Sequence, residues 1–207
     1  MTTAPPARPA KRGRPGYDLE SLLAVAVQLF NERGYDGTSM EDLSRKLGIS
    51  KSAIYHHVPS KEELLRLAVD RALDGLFAAA AQARELPGSA LTRLEHLVRG
   101  SVLVLVERLP FVTLLLRVRG NTKVERAALA RRREFDQLVT DLVAEAVHDG
   151  ELRPELDPAT TSRLLFGMVN SLIEWYRPQG GSGGEELAEA VVAVAFDGLR
   201  VRPQNPA

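Results

Sequence analysis

The sequence predicts an all-α protein with about nine helices, and three observations support this fold class. Apolar residues recur every three or four positions through most of the chain, as they do on the buried face of a helix. No segment alternates polar and apolar residues between hairpin turns, which would indicate strands. Finally, 44% of the residues are hydrophobic but only 5% are aromatic, and this Ala-, Leu- and Val-rich composition suits packed helices.

The composition also excludes several classes of function. There is no cysteine, so disulfides, thiolate metal sites and thiol catalysis are ruled out. No apolar run is long enough to span a bilayer, and the first residues lack the apolar centre of a signal peptide. We therefore expect a cytoplasmic protein with no membrane partner, and nothing in the sequence predicts a cofactor.

The formal net charge is zero, but the charges are unevenly distributed. Residues 1–17 carry four basic side chains and no acid, and residues 117–133 carry seven Lys or Arg against one Glu. Residues 134–207 carry thirteen acidic and five basic side chains. The neutral total therefore conceals a basic arm, a basic central segment and an acidic C-terminal part.

The elements follow in order from their boundary residues. Residues 1–16 are rich in Pro, Ala and Arg without a hydrophobic period, so a flexible basic arm is predicted. A first helix begins after Asp18, which can cap it, and ends at Gly34. Its apolar positions have helical spacing and are Leu19, Leu22, Leu23, Ala26, Leu29 and Phe30.

Two short helices are predicted next. Thr38 and Glu41 have the spacing of a capping box, and the helix that they start ends at Gly48. Ser50 is predicted to cap a third helix, from residue 51 to about residue 58, because a proline follows it.

Longer helices occupy the rest of the chain. Ser60 and Glu63 have the spacing of a second capping box and open a fourth helix, which ends before Pro87. Ser182 and Glu185 have the same spacing before the last helix. The remaining helical segments are predicted over 89–108, 110–119, 122–149, 158–177 and 185–201. Asp157 is predicted to cap the 158–177 helix, with Pro158 at its first position.

The second and third helices, joined by "GIS", have the form of a helix-turn-helix. On the third helix Ile54 and Val58 point to one side, toward the first helix. The opposite side is polar and consists of Lys51, Ser52, Tyr55 and His56. A short helix with a polar outer face fits the major groove of DNA. The helix starts add N–H groups that favour phosphate, at Thr38, Ser39 and Ser50.

The two other interpretations of this stretch are a metal site at the histidines and a solvated surface. Because adjacent residues on a helix diverge by about 100°, His56 and His57 cannot share a metal ion without further ligands. His96 and His148 are the only other histidines and lack ligand spacing, so no metal site is predicted. The polar face could also be an ordinary solvated surface.

The segment "TSMEDLSRKLGISKSAIYHHVPSKEEL" resembles the DNA-binding domain of the TetR family of repressors. The resemblance covers about residues 17–70, and Val58 stands where many members have phenylalanine. It implies that the residues nearest the bases are Lys51, Ser52, Ala53 and His56. It also implies that the phosphate-contacting residues include Thr38, Tyr55, His57 and Lys61. A packing role for His57 remains an alternative.

The predicted domains are therefore the arm (1–16), the helix-turn-helix domain (17–63) and a second domain (64–207).

The arm contains a second candidate DNA contact. In "RGRP", Arg12 and Arg14 flank a glycine, as in segments that enter narrow A·T-rich minor grooves. A basic tail attracted to phosphate is the alternative, and both interpretations favour a double-stranded DNA partner.

The TetR resemblance implies that the second domain dimerises and encloses a small effector. The last two helices would pair with their copies, and the resulting homodimer would bind a palindromic operator. Candidate effector-binding residues, each of which could equally be core, are Leu105, Phe111, Leu115, Arg119, Phe135, Leu138, Leu142, Phe166, Val169, Asn170 and Trp175.

The class of effector rests on a further resemblance. The segment "WYRPQGGSGGEEL" resembles the C-terminal part of TetR regulators that respond to acyl-coenzyme A thioesters from fatty-acid, aromatic or steroid catabolism. Such an effector, for example phenylacetyl-coenzyme A, needs an apolar tunnel and cations for its phosphates. The basic run 117–133 could supply the cations or be a solvated helix surface.

Two rival functions were compared with this one. "GGSGG" satisfies the G-x-S-x-G pattern of a hydrolase around Ser182, but no strand is predicted before it, so an enzyme is not expected. An architectural DNA-binding protein without an effector would explain the helix-turn-helix, but it would leave the second domain without a purpose.

Overall fold

The computed structural model describes residues 18–178 and 183–198, and within these ranges the regular structure is entirely helical. This confirms the all-α prediction. The elements are α1 (Leu19–Arg33), α2 (Met40–Leu47), α3 (Lys51–Tyr55), α4 (Lys61–Glu85), α5 (Ala90–Glu107), α6 (Leu109–Arg117), α7 (Lys123–His148), α8 (Pro158–Trp175), α9 (Gly184–Val192) and a π-helix (Ala193–Asp197).

Helices α1 to α3 form the N-terminal unit. The Asp18 carboxylate accepts the Ser21 N–H at 2.8 Å, which confirms the predicted cap of α1. Gly34 ends the helix with a φ of 81°, a conformation that favours glycine. Behind α3, Ile54 and Val58 are buried against the core, as their spacing predicts.

The predicted capping box of α2 is wrong by one residue. The N-cap is Ser39, whose hydroxyl accepts the Asp42 N–H at 3.2 Å, while the Asp42 carboxylate accepts the Ser39 N–H at 2.9 Å. Thr38 is buried instead, and its hydroxyl donates to the Gly34 carbonyl at 2.9 Å. The buried hydroxyl needs this acceptor, because desolvation without one is costly. Glu41 therefore has no capping role.

Two further details of the helix ends differ from the predictions. Helix α3 ends at Tyr55, and a turn rather than a helix carries the chain to the buried Val58. Ser60 caps α4 through the Glu63 N–H, but the Glu63 carboxylate binds Arg66 rather than closing a capping box. The N-cap of α9 is Gly183, without a side-chain hydrogen bond. Ser182, the other residue of the predicted box with Glu185, lies outside the described residues.

Helix α4 is shared by the N-terminal unit and the remainder of the fold. Its 25 residues extend for about 37 Å, and it packs against α1 as well as α5, α6 and α7. The α5–α6 junction approaches α4 closely at Gly75. A Cβ atom at this position would lie 2.8 Å from Val104 Cγ1 and 2.9 Å from Arg108 Nη1. Arg108 uses this space to donate to the Arg71 carbonyl at 2.9 Å.

The other helices surround α5. Helix α5 packs against α4, α7 and α9, and α7 packs against α8. Helix α8 begins with Asp157, whose carboxylate accepts the Thr160 N–H at 2.9 Å, and Pro158 at the first helical position, as predicted. After Val192, α9 widens into the π-helix rather than continuing as an α-helix to residue 201.

Candidate nucleic-acid interface and internal cavities

Helix α3 presents one polar face to solvent. Lys51, Ser52, Tyr55 and His56 are exposed, and Ala53 is half-buried between the two faces of the helix. Ile54, fully buried, fixes the helix from behind. We call the exposed face, with Ala53, the reading surface. It is a polar face on a supported helix, as the sequence predicts.

Ion pairs and hydrogen bonds organise the start of α3. Lys51 Nζ lies 3.0 Å from Glu41 Oε2 of α2, although both side chains are more than half exposed. Ser50 caps α3 by accepting the Ala53 N–H, and its Oγ is 2.9 Å from that of Ser52. Sequence reasoning missed Glu41 as a neighbour of the reading surface, because it assigned this residue to a capping box.

Two residues expected to contact phosphate have other bonds in this structure. Thr38 is only 1% exposed, so its side chain is turned away from solvent. Lys61 Nζ donates to the carbonyls of Tyr35 at 2.9 Å and Thr38 at 2.8 Å, and lies 4.1 Å from the Tyr35 ring centroid. Lys61 therefore joins the start of α4 to the α1–α2 loop.

The remaining predicted DNA contacts lie around the reading surface or beyond the described residues. His57 is exposed just after α3. Ser39 is exposed at the start of α2. Arg12 and Arg14 lie outside the described residues.

The α2 capping box also sets the charge of Asp42. Hydrogen bonds from the Ser39 hydroxyl and backbone N–H hold the pKa of Asp42 below its ordinary value, and Arg45 and Arg33 act in the same direction. An ionised carboxylate near the first turn favours the helix dipole. The cap thus stabilises α2 most when Asp42 is charged.

A small cavity lies between α4, α5, α6, α7 and α8. We call it the inner cavity; its volume is about 30 Å³. Arg132 and Asp136 of α7 add polar groups to its mainly apolar lining. Partial burial raises the pKa of Asp136 above its ordinary value, although the positive charges of Arg132 and Arg163 oppose this shift. Six predicted effector-binding residues line the cavity: Leu105, Leu115, Phe135, Phe166, Val169 and Asn170.

A larger cavity, the outer cavity, lies between α4, α5 and α7 and has a volume of about 430 Å³. Two predicted effector-binding residues, Leu138 and Leu142, line it. The other apolar walls are Phe77, Ala80, Ala81 and Leu97, and charged side chains complete the lining: Arg84, Glu85, Arg93, Asp141 and Glu145. Phe77 is not among the predicted effector-binding residues, although it is the only aromatic residue of α4.

Three predicted effector-binding residues line neither cavity. Phe111 packs its ring against Arg71, whose Cζ lies 5.0 Å from the ring centroid. Trp175 is 58% exposed at the end of α8. Arg119 lines a separate cleft of about 290 Å³ between the N-terminal unit and the α6–α7 connection.

Several cations of the basic run 117–133 have partners within the protein. Arg117 donates to the Asn31 carbonyl at 3.0 Å, and Arg126 donates to the Gly120 and Asn121 carbonyls. Arg131 bridges the carboxylates of Asp70 and Asp74 on α4. These three guanidinium groups therefore hold loops and helices together.

Two further observations concern metal ions and membranes. Across 18–178 and 183–198, no three His, Asp or Glu side chains are arranged so that they could hold a metal ion. In the same ranges, no helix combines the length and the apolar character that crossing a membrane requires.

Comparison with known proteins assigns the chain to a family. The family model described as "Bacterial regulatory proteins, tetR family" matches residues 22–68, which include the reading surface. A second, described as "Tetracyclin repressor-like, C-terminal domain", matches residues 87–199, more than half of the chain. The chain belongs to the TetR family. It is therefore a helix-turn-helix transcriptional regulator rather than an enzyme.

Individual TetR-family relatives resemble the chain over most of its length. SCO3833 from Streptomyces coelicolor A3 is 54% identical, with a TM-score of 0.81 over 88% of this chain and 92% of that one. The repressor KstR2 of Rhodococcus jostii strain RHA1 is 30% identical over 98% of this chain and 100% of its own. AibR, solved with isovaleryl coenzyme A and operator DNA, is 25% identical, with a TM-score of 0.72 over 86% and 97%.

Proposed function

We propose that this TetR-family protein is a repressor that binds a palindromic operator as a homodimer and is released by a small effector. The observation that carries the proposal is the reading surface. One face of α3 exposes Lys51, Ser52, Tyr55 and His56, and buried Ile54 anchors the opposite face. Such a helix can enter a major groove and present donors and acceptors to base edges.

Exposed apolar side chains support the homodimer. Leu164 on α8 is 70% exposed, Trp175 at its end is 58% exposed, and Val194 after α9 is 41% exposed. Large apolar side chains exposed to this extent are typical of a surface that another protein covers. Pairing of α8 and α9 with their copies would cover them and place two reading surfaces about 34 Å apart.

The proposed effector is an acyl-coenzyme A thioester of fatty-acid or aromatic-acid catabolism, such as phenylacetyl-coenzyme A. The solved complex of AibR with isovaleryl coenzyme A supports this class, as do the mainly apolar walls of both cavities. Effector binding would shift the population toward a state in which α4 holds the two reading surfaces at the wrong spacing.

The test is footprinting of the purified protein on the DNA that adjoins its own gene, together with light scattering to measure its mass. A protected palindrome and a dimeric mass are expected. Lys51→Ala and His56→Ala should lose specific binding and remain dimeric. A monomeric mass, or equal protection of random DNA, contradicts the proposal.

The effector is tested on the resulting complex. Acyl-coenzyme A thioesters and the corresponding free acids are titrated against the bound operator, with a drug-like organic cation as the alternative class. Release by thioesters supports the proposed effector, whereas release by the cation alone excludes it.

A further inference from the structure

A thin aromatic wall separates the two cavities. Phe77 lines the outer cavity, whereas Phe135 and Phe166 line the inner cavity. The ring centroids of Phe77 and Phe135 are 5.9 Å apart with an interplanar angle of 78°, and those of Phe135 and Phe166 are 5.2 Å apart at the same angle. The edge-to-face contact of Phe77 with Phe135 therefore lies between a ring that lines one cavity and a ring that lines the other. We call Phe77 and Phe135 the aromatic wall.

The wall is about one helical turn thick. The same three helices line both cavities with residues that are one to four positions apart, so the cavities are separated by about 6 Å or less along each helix. The pairs, each given with its inner-cavity member first, are Leu76 and Phe77 on α4, Ser101 and Leu97 on α5, and Phe135 and Leu138 on α7. Rotation of one phenylalanine ring would therefore join the two volumes.

The two cavities offer complementary parts of a binding site. The inner cavity contains Arg132, which forms no hydrogen bond or ion pair with any described residue, although its charge acts on Asp136. At 30 Å³ this cavity has room for little more than one water molecule. The outer cavity provides 430 Å³ with largely apolar walls but has acidic as well as basic side chains at its edge. An anion held at Arg132 would thus find space for its chain only beyond the wall.

The aromatic wall also contacts the ion pairs that link α7 to α4. Arg131 Cζ lies 5.4 Å from the Phe77 ring centroid, and its guanidinium donates to Asp70 at 2.8 Å and Asp74 at 2.7 Å. Asp70 also accepts from Arg66, one turn nearer the reading surface on α4. Movement of the Phe77 ring would therefore disturb contacts that fix α4 against α7.

We propose that the inner and outer cavities form one site for a linear aliphatic effector with an anionic end. The anionic end lies at Arg132, the chain displaces the Phe77 ring, and the displaced ring moves Arg131 away from α4. This inference rests on the proposed function, since it specifies the effector and its route of action.

The test measures how binding depends on chain length. Butyric, octanoic and dodecanoic acids and their coenzyme A thioesters are titrated by calorimetry against full-length wild type, Phe77→Leu and Phe111→Leu. The acids carry their anion at the end of the chain, whereas the thioesters carry theirs on the phosphates of coenzyme A, so comparing the two series identifies the source of the anionic end. Operator binding and release are measured in the same preparations by fluorescence anisotropy.

A smaller side chain at position 77 should lower the cost of opening the wall. Octanoyl and dodecanoyl ligands should bind Phe77→Leu about tenfold more tightly than wild type, a change typical of altered apolar contacts. Butyric acid, too short to cross the wall when its carboxylate lies at Arg132, should bind both proteins equally. Phe111→Leu should match wild type, because Phe111 packs on Arg71 outside both cavities. If Phe77→Leu lowers stability, Phe77→Met provides a second variant, because methionine has a volume similar to that of leucine.

The outcomes separate this inference from the function on which it rests. Equal affinity of Phe77→Leu and wild type for the long chains overturns the inference, as does failure of both series to bind wild type. Failure of wild type to bind the operator overturns the proposed function, but the calorimetry still tests the wall. Arg131→Met should bind dodecanoyl ligands as tightly as wild type. Its release from the operator should nevertheless require about tenfold more ligand. Unchanged release contradicts the role of Arg131.

Discussion

The ammonium group of Lys51 on the reading surface lies 3.0 Å from the carboxylate of Glu41 on the preceding helix. Both side chains are more than half exposed, so the pair contributes at most about 1 kcal/mol to stability. Its importance lies in DNA binding, because a lysine held by a carboxylate is less available to phosphates. We expect Glu41 to restrict nonspecific binding in the free protein.

Glu41→Gln should therefore strengthen binding to random DNA and weaken discrimination in favour of the operator. Release of Lys51 to neutralise one more phosphate should steepen the dependence of log K on log salt by about 0.9 for each reading surface. The measurement is a salt titration of operator and random duplexes. Glu32→Gln, which removes an exposed acid from α1, is the control. Identical salt slopes for the two variants would refute the prediction.

Ile54→Ala tests the support behind the reading surface. Ile54 is fully buried, and removing its methyl and methylene groups should leave a void that lowers the free energy of unfolding by about 3 kcal/mol. Urea denaturation measures this loss. Lys51→Ala, on the exposed side of the same helix, should change stability by no more than about 0.5 kcal/mol. Equal losses in the two variants would show that α3 is not fixed by its buried face.

Lys61→Met distinguishes a structural lysine from a phosphate contact. The variant removes two hydrogen bonds to the carbonyls of Tyr35 and Thr38, so it should lower the free energy of unfolding by about 2 kcal/mol. The slope of operator affinity against salt should stay constant. A slope that falls by about one unit with unchanged stability would instead support the phosphate contact implied by the family resemblance.

Asp42→Asn tests the capping box through pH. Because hydrogen bonds from Ser39 lower the pKa of Asp42 in the folded state, its contribution to stability is fully present above the ordinary Asp pKa and is lost as pH falls through the lowered value. The stability difference between wild type and Asp42→Asn should thus shrink below about pH 4. Ser39→Ala should lose part of the same acid-dependent contribution. A difference that is constant with pH in urea denaturation would contradict this account.

Sequence was sufficient where local chemistry decides the structure. Asp18, Ser50, Ser60 and Asp157 were all identified as helix caps, because each side chain bonds an N–H only three residues away. The two faces of α3 also followed from spacing, because a helix turns by a fixed angle at each residue. Neither inference needed information about distant parts of the chain.

Sequence failed where contacts between separate elements decide the structure. Thr38 and Ser39 are adjacent hydroxyl residues, and the carbonyls of Leu29 and Gly34 at the end of α1, which accept from Thr38, determine which one turns inward. Lys61 resembles a free surface lysine until its acceptors, 23 and 26 residues away, are known. Likewise, spacing along α7 could not show that Phe135 and Leu138 face different cavities.

The close crossing at Gly75 has a consequence for genetics. A side chain there would push the α5–α6 junction off α4, and α6 is tied to α1 by the bond from the Asn31 amide to the Pro110 carbonyl at 2.9 Å. Replacement of a single hydrogen atom by a methyl group would thus change the orientation of the N-terminal unit from a position that lies outside the reading surface and lines neither cavity. A screen for alleles with altered induction should return substitutions at Gly75 and Arg108.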